Sequence, residues 1–269
     1  MINTRRLLEI VARLRDPEHG CSWDREQDFK SLIPYLLEEA CEVRDAIERE
    51  DIDDFKEELG DLLLQVAMHS RIAEERGLFD FESVASEISA KLIRRHPHVF
   101  GDSVFATDEQ RASAWEASKA SERSKKNQAG SSALGGIPAA LPALMYAAKI
   151  QQRAARHGFD WPETAPVLDK VQEELDELRY AWQSGDQSRM QDELGDLLFV
   201  TVNLSRHLGV EPESALHLAS RKFERRFHYI EKQLQASGRN LDECELEELN
   251  ALWDEAKVAT LTDPSPTIL

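Results

Sequence analysis

The chain has 269 residues, and its 33 Lys and Arg against 51 Asp and Glu give a formal net charge of −18. A surface this acidic repels nucleic acid and anionic lipid, because binding to either without sequence specificity depends on an excess of Lys and Arg. We therefore expect neither a nucleic-acid-binding protein nor a membrane-surface protein.

The composition favours helices in two domains. At roughly 100 to 200 residues per domain, the length suggests two of them. Only 12 Gly and 10 Pro interrupt the chain, and the abundant Leu, Ala, Glu, Gln and Arg are good helix formers. An all-α fold is predicted.

The cellular location follows from three negative observations. The cysteines, Cys21, Cys41 and Cys244, are odd in number and widely spaced, which indicates reduced thiols. Charged residues interrupt the first 15 positions, unlike a signal peptide. No apolar run approaches the roughly 20 residues of a membrane span. We expect a soluble, cytoplasmic protein.

Five short motifs follow one another in the first half of the chain, and all five recur in the same order in the second half. The first copies are His19-Gly20-x-x-Trp23, Glu38-Glu39-x-x-Glu42, Glu58-Leu59-Gly60-Asp61-Leu62-Leu63, Lys91-x-x-Arg94-Arg95 and Trp115-x-x-x-Lys119. The second copies are His157-Gly158-x-x-Trp161, Glu173-Glu174-x-x-Glu177, Glu193-Leu194-Gly195-Asp196-Leu197-Leu198, Lys222-x-x-Arg225-Arg226 and Trp253-x-x-x-Lys257.

This recurrence predicts a tandem duplication. Residues 127–136 between the copies are rich in Gly, Ser, Asn and Gln, which is typical of a flexible linker. We therefore predict one helical repeat in residues 1–126 and a second helical repeat in residues 137–269, which the family resemblance described below implies to be the catalytic one.

The acidic motifs of the second half predict a helical hairpin lined with carboxylates. Residues three or four apart share a helix face, so Glu174 projects with Glu177, and Glu193 with Asp196. Residues 184–186 between them, Ser-Gly-Asp, indicate a helix stop followed by an N-cap. In an antiparallel hairpin the numbers of two facing residues add up to a constant. Glu174 with Asp196 and Glu177 with Glu193 give the same sum, so these residues should face each other. The four side chains should meet on two levels.

The first half satisfies the same condition with Glu39, Glu42, Glu58 and Asp61, centred on Glu50. Each of these acids lies 135 positions before its counterpart, as Glu39 does before Glu174. Paired acids are usually only a solvated helix face. Their duplication with unchanged pairing favours a site instead.

Converging carboxylates repel one another and lose hydration, so either their pKa values rise or they require a counter-charge, for which a divalent cation is the obvious candidate. Oxygen ligands without His or Cys favour Mg²⁺, allow Mn²⁺ and disfavour Zn²⁺. Glycine inside a helix costs about 1 kcal/mol relative to Ala, so Gly60 and Gly195 should serve close packing or close ligand approach. The Leu-Leu pairs after the acids predict that the second helix of each hairpin is mostly buried.

The basic motif places Lys222, Arg225 and Arg226 one helical turn apart, which suits polyphosphate oxygens. A solvated or salt-bridging basic face is the simpler alternative for this motif alone. Together with a metal site, the motif indicates a phosphorylated substrate. Trp161 and Trp253 either stack on a base or fill the core.

The acids, the segment Gly20-Cys21-Ser22-Trp23-Asp24 and the segment Arg95-His96-Pro97-His98-Val99-Phe100 make the sequence resemble the MazG family of nucleoside triphosphate pyrophosphohydrolases. The resemblance extends from Arg13 to Lys257. It implies an all-α homodimer whose helices complete four-helix bundles. It also implies Mg²⁺-dependent hydrolysis of a nucleoside triphosphate to its monophosphate and pyrophosphate.

The resemblance further assigns roles to residues of the second repeat. It implies metal ligation by Glu174, Glu177, Glu193 and Asp196, with Glu173 as an auxiliary carboxylate. The general base would be Glu173 or Glu193. The residues that it places against the nucleotide are Lys170, Arg189, Lys222, Arg226 and Trp253, to which the basic motif adds Arg225.

Two other functions stay open at this level. One is a narrower pyrophosphohydrolase acting on dUTP or on phosphoribosyl-ATP. The other is a helical scaffold that binds metal only for stability.

Overall fold

The computed structural model describes residues 2–108, 110, 111, 114, 115, 118, 122 and 132–259. Within these residues every regular element is a helix, which confirms the predicted all-α class. The chain divides into two compact units, Met1–Ala120 and Ser121–Asp263. Lys119, the boundary at residue 126 and the linker as far as residue 131 lie outside the described residues.

The first unit contains six helices among the residues described. They are α1 (Ile2–Leu14), α2 (Ser22–Glu26), α3 (Ile33–Glu48), α4 (Ile52–Glu75), α5 (Phe81–Arg95) and α6 (Pro97–Phe100). Helix α4 is the central element, since it packs against α1, α3 and α5.

The second unit contains five α-helices and a short 3-10 helix among the residues described. They are α7 (Ala143–Ala155), α8 (Thr164–Ser184), α9 (Gln187–His207), α10 (Pro212–Ala236), the 3-10 helix Leu241–Glu243 and α11 (Leu246–Ala259). Helix α9 packs mainly on α8 and also on α7, while α11 packs on α10.

The turn between α8 and α9 forms as its sequence predicts. Gly185 adopts the left-handed conformation with φ of 71° and ends α8. Asp186 then caps α9, and its Oδ1 accepts a hydrogen bond from the backbone N–H of Arg189 at 3.1 Å. In the first unit Asp51 caps α4 in the same way, through the N–H of Asp54. Each turn reverses the chain and brings two acidic helices side by side.

The first unit has an apolar core where α1 and the segment before α3 meet α4. The buried residues Val11, Leu32, Met68 and Ile72 form its centre with Ala67, and Phe29 and Leu64 pack against them. In the second unit the buried apolar residues include Val167 and Ala181 of α8, Val200 and Val202 of α9, and Ile230 and Leu234 of α10. These contacts fix α8 and α9 relative to each other and so position the acids.

The prediction that the second helix of each hairpin is mostly buried is wrong for the single chain. Leu63 is 41% exposed and Leu198 is 52% exposed, and large parts of Leu59 and Leu194 are exposed as well. The reason is geometric, because the helices that pack on α4 and α9 leave part of the surface of each uncovered. Both α4 and α9 therefore present apolar side chains to solvent.

Candidate metal centres

Three carboxylates meet in the hairpin of the second repeat. Glu174 and Glu177 project from α8 and Glu193 from α9, and one oxygen of each lies within 4.8 Å of the others. The fourth predicted member, Asp196, is exposed and lies outside this group. Helical spacing and the turn at Gly185 thus bring together three of the four predicted ligands.

The hairpin of the first repeat repeats the arrangement. Glu39 from α3 and Glu58 and Asp61 from α4 have oxygens within 4.8 Å of one another. Here the exposed Glu42 is the member left outside. Each hairpin thus brings together three of its four predicted ligands.

The electrostatics of both groups show unbalanced negative charge. Burial, followed by repulsion from Glu193 and Glu174, raises the pKa of Glu177. Burial together with Asp61 raises the pKa of Glu39 in the same way. Raised carboxyl pKa values mean that the ionised forms are disfavoured where these side chains stand. A cation would reverse this penalty.

Glu174 provides the sharpest test of whether a cation fits. Its side chain is buried, with 6% of the residue exposed, and its Oε2 has no hydrogen-bond partner within the described part of the chain. A buried carboxylate oxygen without a partner is rare and unfavourable. The atoms that could bind a metal ion here are all carboxylate oxygens, the ligand type of Mg²⁺ and Mn²⁺. The residues therefore fit a hard divalent ion.

Two cations stand next to the acids of the second repeat. The Nζ atom of Lys170 lies 2.8 Å from an oxygen of Glu173 and 2.8 Å from an oxygen of Glu174. Hydrogen bonds to these two carboxylates raise the pKa of Lys170, so it is positively charged at neutral pH. Arg189 lies farther away, with its Nε 3.7 Å from an oxygen of Glu193. Both were predicted from the family resemblance to contact a nucleotide.

The basic motif of α10 belongs to a different part of the unit. The guanidinium of Arg226 lies 5.6 Å from the ring centroid of Trp253 on α11, and Phe223 packs on the same ring. Lys222 and Arg225 are exposed on α10. The structure thus joins the basic motif to the tryptophan motif.

The first repeat pairs the same two motifs. The guanidinium of Arg95 lies 5.4 Å from the ring centroid of Trp115, as Arg226 does from Trp253. This Arg-Trp contact, like the acidic hairpin, is present in both repeats. It indicates that the fourth and fifth sequence motifs form one structural unit.

A cavity of about 320 Å³ opens beside the acids of the second repeat, and Lys170, Glu174 and Asp196 form part of its wall. Sequence reasoning missed two of its polar lining residues, Gln151 and Asn203, which are both 6% exposed. Neither belongs to a repeated motif, so no spacing signal pointed to them.

The segment that carries Trp161 is held at the mouth of this cavity by an ion pair. Asp160 accepts hydrogen bonds from Arg206 Nη2 at 2.5 Å and contacts His207 Nε2 at 3.2 Å. Burial opposes the charge on Asp160, but these two partners outweigh it and lower the pKa of the carboxyl. The indole of Trp161 is 38% exposed, so it lines the cavity rather than the apolar core.

Comparison with known proteins agrees with this arrangement. The profile of the MazG nucleotide pyrophosphohydrolase domain matches residues 27–100 and residues 164–230. Each match contains one acidic hairpin.

Three relatives match almost the whole chain. The nucleoside triphosphate pyrophosphohydrolase of Escherichia coli (strain K12) is 51% identical over 254 residues, which cover 94% of this chain and 96% of that protein. The nucleoside triphosphate pyrophosphohydrolase/pyrophosphatase MazG of Thermotoga maritima is 48% identical over 251 residues, covering 93% and 94%. The uncharacterized protein YabN of Bacillus subtilis is 42% identical over 249 residues, covering 92% of this chain and 50% of that protein.

Proposed function

The chain belongs to the MazG nucleotide pyrophosphohydrolase family, and on that premise we propose that it hydrolyses nucleoside triphosphates to nucleoside monophosphate and pyrophosphate. The observation that carries the proposal is the meeting of Glu174, Glu177 and Glu193 in one hairpin, with Lys170 beside them. The three carboxylates would attract a hard cation, and the ammonium group of Lys170 beside them would attract a phosphate. A polyphosphate needs both.

The proposed cofactor is Mg²⁺, with Mn²⁺ as a substitute. Glu174, Glu177, Glu193 and Asp196 would hold it, and the first three already have oxygens within 4.8 Å of one another. When bound, the ion would neutralise charge on the phosphate oxygens and on the leaving pyrophosphate. Support comes from the orphaned Oε2 of Glu174 and from the all-oxygen donor set.

The protein's own residues would supply the remaining functions. Glu173 or Glu193 takes the proton of the attacking water. Lys170 and Arg189 stand at the acids and balance the charge of the phosphates. The α10 and α11 residues proposed to contact the nucleotide are Lys222, Arg225, Arg226 and Trp253.

The first repeat, with Glu39, Glu42, Glu58 and Asp61, is proposed to hold a second cation. It carries no counterpart of two basic residues of the second repeat, since Tyr35 stands 135 positions before Lys170 and Asp54 stands 135 positions before Arg189. We therefore assign catalysis to the second repeat, within the proposed domain 137–269. Residues 1–126 form the other proposed domain.

We propose that the protein works as a cytoplasmic homodimer. The exposed apolar residues of α4 and α9, among them Leu63 and Leu198, support this assembly because a second hairpin would cover them and complete a four-helix bundle. Among the described residues no helix is both long and apolar enough to cross a membrane. The net charge of −18 argues against nucleic acid as a partner.

The proposal is tested by incubating the protein with each common nucleoside triphosphate and Mg²⁺ and measuring pyrophosphate. Release of pyrophosphate from several triphosphates is expected, and release of orthophosphate alone would refute the bond assignment. Adding dUTP and phosphoribosyl-ATP to the panel identifies a narrower enzyme. Glu193→Ala should fold and lose turnover, whereas a scaffold protein would have no turnover to lose.

A further inference from the structure

Gln65 is a buried polar side chain that stands beside the acidic group of the first repeat. It is 7% exposed and follows Asp61 by four residues on α4, so the two side chains share one face of that helix. Glu39 belongs to the same carboxylate group as Asp61 and reaches it from the facing helix α3. The helical spacing therefore brings the amide of Gln65 next to the acids without making it one of them.

The amide of Gln65 acts on the charge of Glu39. Burial raises the pKa of Glu39, and repulsion from Asp61 and Glu42 adds to the rise, whereas a hydrogen bond from Gln65 opposes it. An ionised carboxylate can only accept, so Gln65 presents its Nε2 to Glu39. The contact thus favours the ionised form of Glu39, which is the form that binds a metal ion.

The other end of the same amide is left without a partner. The Oε1 of Gln65 is buried and accepts no hydrogen bond within the described part of the chain, and the same is true of Nε2 of His69, four residues farther along α4. Buried polar atoms without partners are rare because they are unfavourable. An amide that carries this cost is not explained by packing alone, so the end that faces Glu39 is the part that has a function.

The second repeat shows that an apolar residue fits at this place in the hairpin. The offset of 135 residues puts Val200 at the position of Gln65, and Val200 is 5% exposed. Glu174, the counterpart of Glu39, is instead contacted by Nζ of Lys170 at 2.8 Å. The two repeats thus give equivalent acids different hydrogen-bond donors, a neutral amide in the first and an ammonium group in the second.

The two donors have different consequences for a metal ion. An ammonium group competes with the ion for the carboxylate, because both carry positive charge. A neutral amide adds no such charge and only holds the carboxylate in one orientation. Partners of this kind, which hydrogen-bond to a ligand rather than to the metal, typically contribute 10- to 100-fold to metal affinity.

We propose that Gln65 is the positioning residue of the first metal group and that it holds Glu39 in place for a divalent ion. Gln65 does not contact the ion and acts on it only through Glu39. The inference rests on the proposed function, which gives the first repeat a cation of its own. It adds a residue of α4 that neither the repeated motifs nor the acidic group includes.

The test measures Mn²⁺ binding to the full-length chain by electron paramagnetic resonance of the free ion. Glu177→Gln and Glu193→Gln together remove two acids of the second group, so the Mn²⁺ that still binds reports on the first group. In this background Gln65→Met should raise the Kd for Mn²⁺ by about 10- to 100-fold.

Ser70→Ala in the same background is the matched control. Ser70 is also a buried polar residue of α4, with 3% of its surface exposed, and its Oγ donates to the backbone carbonyl of Val66. Losing this hydrogen bond should leave the Kd for Mn²⁺ unchanged. The comparison separates the loss of any buried polar contact in α4 from the loss of the one at Glu39.

An equal Kd with and without Gln65→Met would overturn the proposal, even if the melting temperature fell, because a purely structural residue changes stability alone. Failure of the background variant to bind Mn²⁺ would overturn it as well. If circular dichroism shows that Gln65→Met does not fold, Gln65→Asn withdraws the amide by one methylene and should raise the Kd in its place. Pyrophosphate release by the wild-type protein tests the proposed function separately, since Mn²⁺ binding to the first group requires no hydrolysis.

Discussion

The Nζ atom of Lys170 lies 2.8 Å from a carboxylate oxygen of Glu174, the most buried acid of the two groups. The offset between the repeats puts Tyr35 at the position of Lys170 in the first hairpin. The buried acid of the second hairpin therefore has a lysine ammonium group beside it, whereas the equivalent position of the first hairpin carries a tyrosine. On the proposed function, this difference means that the first group would bind a cation alone, whereas the second would also bind the phosphates of the substrate.

Magnesium should stabilise the fold, and Glu177→Gln should reduce that stabilisation. Repulsion among ionised carboxylates destabilises the ion-free hairpin, whereas a ligand at 100 times its Kd stabilises a protein by about 2.7 kcal/mol. Differential scanning calorimetry with and without Mg²⁺ measures the effect. Asp176→Asn, at an exposed acid of the same helix that pairs with Arg179, is the control and should keep the full shift. An unchanged melting temperature of the wild-type protein in Mg²⁺ would reject both metal sites.

Lys170→Met should weaken substrate binding while tightening the binding of the metal alone. Removing the ammonium group takes a partner from the triphosphate, so KM should rise about tenfold, the effect of losing one charge-assisted hydrogen bond. The same change removes a competitor for Glu174, so the Kd for Mg²⁺ measured by calorimetry should fall.

Lys149→Met, at an exposed lysine of α7, is the matched control for this experiment. A rise in the Kd for Mg²⁺ together with the rise in KM would mean that Lys170 acts by holding the hairpin together. The opposite signs are what distinguish a substrate contact from a structural one.

Asp160→Asn should destabilise the second unit by about 2 kcal/mol, because the hydrogen bonds of Arg206 and His207 go to an ionised group. Urea denaturation measures the change. Asp169→Asn, at an exposed position of α8, should shift the midpoint little. Since Asp160 also holds the segment of Trp161, the nucleotide KM should rise with the loss of stability. Equal midpoints for the two variants would contradict this account.

The first unit should lose stability in acid through Glu75. Hydrogen bonds from the buried Arg15 lower the pKa of this carboxyl below its ordinary value of 4.5. A lowered pKa means that the stabilisation is present above the ordinary value and is lost as the pH falls through the lowered one. The melting temperature of wild-type protein should exceed that of Glu75→Gln at pH 7, and the gap should narrow below about pH 4.5.

The control for this pH dependence is Glu74→Gln, because Glu74 is a more exposed acid that pairs only with Arg71 among the contacts described. Its melting temperature should follow that of the wild-type protein at every pH. A gap between wild type and Glu75→Gln that stays constant from pH 7 to pH 3 would exclude the Arg15 ion pair as its source.

The sequence alone predicted the acidic hairpins because two simple periodicities determine them. Acids three residues apart share a helix face, and the turn at Gly185 sets which faces meet. These rules predicted the meeting of Glu174, Glu177 and Glu193, which the structure shows. They could not predict that Asp196 lies outside this group, since residue spacing does not determine side-chain rotamers.

The cavity was beyond the reach of sequence patterns. Gln151 lies on α7, a helix without a repeated polar motif, and it meets Asn203 only through the packing of α7 on α9. Burial of an amide side chain leaves no mark in a single sequence. The burial predicted for Leu198 was wrong for a related reason. A run of leucines shows that an apolar surface exists, but it does not show whether that surface packs against the same chain or against another molecule.

Gly195→Ala should stabilise the isolated chain and impair hydrolysis. A Cβ atom built at Gly195 has nothing within 4 Å, so close packing within the described chain does not explain the glycine. Alanine is better than glycine inside a helix by about 1 kcal/mol, and urea denaturation should show this gain. A lower kcat/KM would then point to substrate or a second subunit approaching the helix here.

Gly60→Ala is the matched control, since its Cβ also has open space and it lies in the first repeat. It should show the gain in stability without a loss of kcat/KM. Full activity of Gly195→Ala would mean that neither substrate nor partner comes near this backbone.

The two hairpin turns differ at one equivalent position. Gly185 has φ of 71° and Glu50 has φ of 55°, so both bend the chain through left-handed backbone. Glycine adopts this conformation freely, whereas a side chain there costs about 1 kcal/mol or more. The first repeat therefore has a strained glutamate at the position where the second repeat has glycine. The second repeat thus already contains the substitution, Glu50→Gly, that would be introduced into the first repeat to raise the thermal stability of the protein.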